Sequence, residues 1–376
     1  MKKTETPQFS VRDTNVVKGV AILILVSHHC FLSASRFEGY DISFFPFTQE
    51  TIISAALAGK CCVGIFTFLS AFGLTRTYQK QSACGAEEIS ERTQTEKFVL
   101  RRTINLLSGF LFVFVLVFVC GLFLGSRSSF SYYTKESGIL LSAYYLLLDA
   151  LGLSELMDTP SLIHTWWYMG LALTVIFLFP IMYKLYQKIG WVLIPAFFCL
   201  LCCLRLDISD FNRWLVLIPV GILFADRNLL ERIKAHQVVK RRSLDFVLKF
   251  FGISVIILLL AYLAADSYEV SSYGTKVLSC LLAIAVVLWV YLFLNGLPVI
   301  SPILAFLGKH SMNIFLIHNF LRDRWFEAQI YSCKHFALIV LVLLLASTVI
   351  SVGINALKKY SGYDRAVQKL HQRLGA

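Results

Sequence analysis

Charge is what this sequence has least of: Asp, Glu, Lys and Arg make up 15% of its 376 residues, against about a quarter in soluble chains. So few charges cannot clothe a water-facing surface of that size, which excludes an ordinary soluble protein. Proline is scarce, at 8 residues, and no low-complexity tract or internal repeat occurs, so linker-rich and solenoid architectures are excluded as well. The 10 cysteines show no Cys/His spacing suited to a metal. Cys61, Cys62, Cys120, Cys199, Cys202, Cys203 and Cys280 lie inside apolar runs, where they read as small hydrophobes, and no metal site is expected. The net charge of +12 is gathered in short clusters between apolar runs rather than along one face, which argues against a nucleic-acid partner.

What the chain does have is hydrocarbon: 57% hydrophobic residues, 31 Phe and a mean hydropathy of +0.69. Stretches long enough to cross a bilayer, or nearly so, lie at about 15–35, 52–76, 104–125, 162–184, 190–206, 212–226, 246–266, 275–297, 302–321 and 336–357. The first is interrupted by Lys18 and by His28 and His29 and carries no small-residue cleavage site, so it reads as a retained span. An eleventh candidate, 138–153, is short and contains Asp149.

Basic residues favour the cytoplasmic side of a membrane, and they decide the count. Ten spans from a cytoplasmic N-terminus place 24 Lys and Arg inside and 9 outside, with Lys60 and Lys309 at membrane depth. Treating 138–153 as a further span inverts all that follows and gives 16 inside against 17 outside. The expected fold is therefore all-α: a polytopic membrane bundle of ten transmembrane helices, both termini cytoplasmic, with 138–153 re-entrant or interfacial on the outer side. A single integral membrane domain is expected over 1–376, its spans covering about 15–357 and its cytoplasmic tail 358–376, in a multi-pass protein of the cytoplasmic (inner) membrane.

Ionisable groups inside a span are costly and point to function. Lys18 and His29 are eleven residues apart, about 1100° of helix rotation, which puts them within roughly 20° of one face and about 16 Å apart along the axis. His28 points about 100° away and reads as a histidine satisfied by a neighbouring helix. A histidine titrating near neutrality can take a proton from a hydroxyl and return it to a leaving group. The second span carries Gly59, Gly64, Ser70 and Gly73, a close-packing signature, and Arg76 follows at its cytoplasmic end. Across a polar loop stand Lys97, Arg101 and Arg102, a cluster suited to anionic lipid or to a phosphorylated cosubstrate. On the outer side Trp166 and Trp167 match an interfacial aromatic belt, which leaves His164 unexplained. The ninth span holds Lys309, Ser311, Asn313 and His318, so many polar groups that it is expected to face a cavity.

Four segments together resemble the acyltransferase family 3 of ten-span membrane acyltransferases. Lys18-x10-His29 resembles that family's first-helix Arg/Lys-x10-His motif, and Gly59 to Gly73 its Gly-Val-x-x-Phe-Phe-x-x-Ser-Gly-Phe stretch. Lys97-Phe98-Val99-Leu100-Arg101-Arg102 is similar to its aromatic-Leu-Arg-Arg segment, and Leu307 to His318 to its Leu-Gly-x-x-Ser-x-x-x-Tyr-Leu-x-His. The chain departs from the pattern at Ala71, Asn105, Ser108 and Phe315.

The resemblance implies transfer of acetyl from acetyl-CoA to a hydroxyl of a cell-envelope carbohydrate. His29 is then general base or acyl carrier and Lys18 lines the cosubstrate path. Arg76, Arg101, Arg102 and Lys97 meet the CoA phosphates, and Ser70, His164, Trp166, Ser311 and His318 meet the acceptor. The sequence closes about twenty residues after the last span, so the acceptor, a polysaccharide or lipid-linked saccharide, is expected to come to the membrane. Two other readings stay open: a transporter or flippase of a polar envelope precursor, whose route would also be lined by His, Lys and Arg, and a membrane N-acetyltransferase acting on an amino sugar.

Overall fold

The computed structural model describes residues 8–84, 90–124, 131, 133–134, 138–204, 211–268 and 273–374. Lys2, Lys3, Arg127, Lys135 and Arg205, which entered the charge count, lie outside them. Among the described residues the chain is all helical, with no strand and one isolated bridge between Ser43 and His335. In chain order the helices are α1 (Val11–Phe31), α2 (Gln49–Ala58), α3 (Cys61–Cys84), α4 (Glu91–Leu124), α5 (Ile139–Ala150), α6 (Trp167–Ile189), α7 (Leu193–Leu204) and α8 (Phe211–Leu215). They continue as α9 (Leu217–Asp226), α10 (Leu229–Ala235), α11 (Arg242–Asp266), α12 (Tyr273–Trp289), α13 (Ile300–Asn319), α14 (Glu327–Tyr331), α15 (Phe336–Tyr360) and α16 (Tyr363–Arg373).

Eight helical runs among the described residues are long and apolar enough to cross a membrane. The two expected spans that are not counted separately differ for local reasons. The stretch 190–206 joins the run His164–Leu204, where Gly190, at φ +61°, turns the chain between α6 and α7. The stretch 212–226 is split into α8 and α9, both too short to cross alone. α5 has 12 residues, about 18 Å of helix against a hydrocarbon core of about 30 Å, so it cannot cross. Outward faces are apolar, as lipid demands: on α11 Phe251, Val255, Leu258 and Tyr262 form an exposed stripe at helical spacing.

The chain divides into two compact units. The first comprises residues 1–39, 44–79 and 181–311. α1 starts at a capping box in which the Asp13 backbone N–H donates to Ser10 Oγ and the Ser10 N–H to Asp13 Oδ2. Its Val16, Val17 and Ala21 share a core with Ile65, Phe68 and Phe72 of α3 and Ala283 and Val287 of α12. α1 meets α13 at backbone contact, because a Cβ on Gly19 would collide with the Leu304 carbonyl and one on Gly308 with the Asn15 carbonyl.

The second unit comprises residues 40–43, 80–180 and 312–376. Its centre is Trp166, 1% exposed, with Phe110 at 5.0 Å and Phe320 at 5.3 Å between ring centroids. Asp149, fully buried at the end of α5, accepts from Tyr133 Oη at 2.6 Å, the Leu162 N–H at 2.7 Å and Ser154 Oγ at 3.1 Å. These bonds tie α5 to the segment leading into α6. α16 lies along α4, with Tyr363 Oη donating to the Ser108 carbonyl and His371 bonded to Asn105 Oδ1.

Candidate active site

Lys18, His29, Ser70, Arg76 and Ser311 belong to the first unit, and Lys97, Arg101, Arg102, His164, Trp166 and His318 to the second. The chemistry starts with α1, which is continuous from Val11 to Phe31, so Lys18 and His29 keep the single stripe that their spacing requires. Both are half-buried, and Lys18 has no carboxylate within ion-pair reach among the described residues. A cation held in a span without a carboxylate is costly unless it serves a ligand or a wet path. His28 is buried and bonded through Nδ1 to the Ala56 carbonyl at 2.6 Å, which makes that nitrogen the donor. The adjacent histidines therefore have different duties: His28 fastens α1 to α2, and His29 stands on the Lys18 stripe with its ring 5.0 Å from that of His28.

On α3, Ser70 is half-buried and makes no side-chain hydrogen bond among the described residues. Arg76, two turns on, donates from Nη2 to Glu231 Oε1 at 2.7 Å and lies 5.3 Å above the Phe72 ring. Glu231 is 4% exposed, and the same oxygen accepts the Phe9 N–H at 3.0 Å. Sequence reasoning missed Glu231. Its signal was present, since it is the one acid in the basic run from Arg227 to Arg242. Ser311, on α13, is buried.

In the second unit the first turns of α4 carry Lys97 and Arg101 exposed, and Arg102 half-buried with its guanidinium 5.3 Å from the Phe98 ring. None of the three has a carboxylate partner among the described residues, so the cluster can hold an anion. His164 is open to solvent, with Nδ1 4.0 Å from Glu155 Oε2. Trp166 departs from the aromatic-belt expectation: its ring is core, and its Nε1–H donates to the Leu316 carbonyl at 3.1 Å. The expectation failed because a Trp beside an apolar run looks the same in sequence whether it faces lipid headgroups or a partner helix. His318 is fully buried, its Nδ1 bonded to the Ile314 and Phe315 carbonyls of its own helix at 3.1 and 2.8 Å. Asn313 donates to Asn355 Oδ1 at 2.9 Å, so part of the polarity of α13 serves packing against α15.

A family model described as an acyltransferase domain matches residues 12–356. No curated protein and no solved structure matches the chain.

Proposed function

The chain belongs to this acyltransferase family, and on that premise we propose that it moves an acetyl group from cytoplasmic acetyl-CoA to a hydroxyl of a cell-envelope carbohydrate. The observation that supports this best is the unbroken α1, which keeps Lys18 and His29 in line while His28 is committed to Ala56. In the proposed reaction the neutral imidazole of His29 takes the proton of the sugar hydroxyl as its oxygen attacks the thioester carbonyl. Collapse of the tetrahedral intermediate breaks the carbon–sulfur bond, and the CoA thiolate leaves with the proton returned by the imidazolium. As acyl carrier, His29 would take the acetyl first and pass it to the hydroxyl, giving the same products.

Lys97, Arg101 and Arg102 suit the CoA phosphates because they carry charge without carboxylate partners. Arg76 suits them through the part of its guanidinium that Glu231 does not occupy. For the acceptor, Ser70 and Ser311 are the residues proposed in the first unit and His164, Trp166 and His318 those proposed in the second, where His164 is the most exposed. The proposed topology has ten crossings, with both termini in the cytoplasm of the inner membrane.

Purified protein given labelled acetyl-CoA and membrane glycans tests the reading. A glycan-bound label released by mild base is the expected ester. A base-stable label would make the enzyme an N-acetyltransferase on an amino sugar, and no label beside an intact export phenotype would make the protein a transporter.

A further inference from the structure

One end of the first unit holds a charged cluster that the reaction above does not use in full. Glu231 Oε1 holds the Arg76 guanidinium and the Phe9 N–H, while Glu231 Oε2 is buried without a hydrogen-bond partner. Phe9 packs edge-on to Phe72 at 5.3 Å and to Tyr291 at 4.9 Å. One turn beyond Glu231 on α10, Lys234 is exposed and places its ammonium 4.1 Å from the centre of the Tyr291 ring. It has no carboxylate within ion-pair distance among the described residues. The Arg76 side chain remains 28% exposed. Two cations thus flank one aromatic cluster, one of them aimed by a buried acid and the other held over a ring face.

Residues at i and i+3 of a helix are neighbours, about 5–6 Å between Cβ atoms, so Lys234 shares a side of α10 with Glu231, the residue that binds the Arg76 guanidinium. Asp13, in the first turn of α1, accepts from the Ser10 N–H and from Asn295 Nδ2. We propose that Arg76 and Lys234 form a phosphate-binding site at this end of the unit, with Glu231 as its positioning residue. The occupant is the phosphate of a nucleotide-bearing acyl donor, so the proposal rests on the acetyl-CoA reading. A phospholipid headgroup offers the same oxygens, and the test separates the two.

The full-length protein is placed in neutral phosphatidylcholine nanodiscs, and in a second set of discs that also contain phosphatidylglycerol, as wild type, Lys234→Gln, Arg76→Gln and the double variant Arg76→Gln/Glu231→Gln. Affinity for CoA and for pantetheine, which lacks the phosphates, is read from ligand-induced thermal shifts, and KM is measured with acetyl-CoA and with S-acetylpantetheine. Lys234→Gln is expected to weaken CoA and raise KM for acetyl-CoA about tenfold, with kcat and both pantetheine values unchanged. The double variant removes both charges of the buried pair and is expected to regain wild-type thermal stability while keeping the CoA defect, which a purely structural Arg76 would not do.

Unchanged CoA affinity in Lys234→Gln, equal losses for CoA and pantetheine, or recovery of CoA affinity in the double variant would each overturn the proposal. So would a Lys234→Gln effect that is absent in neutral discs and emerges only as lost stabilisation by phosphatidylglycerol, which assigns the site to lipid. A wild type that shows these binding differences yet transfers no acetyl would leave the site standing and remove the acetyltransferase reading.

Discussion

His28 and His29 are separated by one position and about 100° of helix, and that rotation decides their roles. His28→Ala loses one buried hydrogen bond to Ala56 and is expected to cost about 1 kcal/mol of stability, leaving transfer activity near wild type. Arg76 carries the opposite expectation. Arg76→Gln strands Glu231 as a buried carboxylate, and SDS-titrated unfolding in mixed micelles should show a loss on the order of 3 kcal/mol, which Glu231→Gln in the same chain relieves. At Asp149, burial pushes the carboxyl up to about 6, although Tyr133, Leu162 and Ser154 pull it the other way by donating hydrogen bonds. Its folded value lies above its ordinary value of 3.8, so its contribution is full below pH of about 4 and is lost as pH rises through about 6. Thermal stability should therefore fall between those values at up to about 1.4 kcal/mol per pH unit, and Asp149→Asn should flatten that slope. The stripe of Lys18 and His29 was legible in the sequence because both lie on one helix with a fixed period. Glu231 and Asp149 stood out by position, but their roles were not legible, because those come from partners such as Arg76, 155 residues from Glu231, and from the fold around them.

At the scale of elements, the crossing of α1 and α13 is the sharpest constraint. Gly19→Ala and Gly308→Ala each drive a methyl into the backbone of the facing helix, so each should cost about 3 kcal/mol or more and lower the monodisperse yield in fluorescence size-exclusion chromatography. Gly73→Ala, with nothing near its Cβ position, is the matched control and should behave as wild type. Hydropathy found the long helices because α4, α11, α12 and α15 each contain an apolar run long enough to cross. It could not foresee that 212–226 is cut into α8 and α9, since the break between Leu215 and Leu217 falls inside an unbroken apolar run. The short α5 was legible because the distribution of basic residues rejects 138–153 as a crossing, in keeping with a helix of only 12 residues.

At the scale of the whole molecule, composition shows the membrane, and charge asymmetry supplies an orientation that can be tested without any assay of transfer. In a variant retaining Cys333 as its sole cysteine, an impermeant maleimide should label intact cells, because the proposed topology puts the loop of Lys334 outside. A cysteine placed at Lys369 of α16 should label only after permeabilisation, and the reverse pattern would turn the proposed layout over. The family match over 12–356 concerns the chain as a whole, whereas the chemistry is assigned to one histidine in it. The most direct measurement is transfer of labelled acetyl from acetyl-CoA to membrane glycans by wild type, His28→Ala and His29→Ala at matched membrane abundance. Label abolished in His29→Ala and retained in His28→Ala is the expected result; full labelling by His29→Ala would contradict the assignment of the chemistry to that residue.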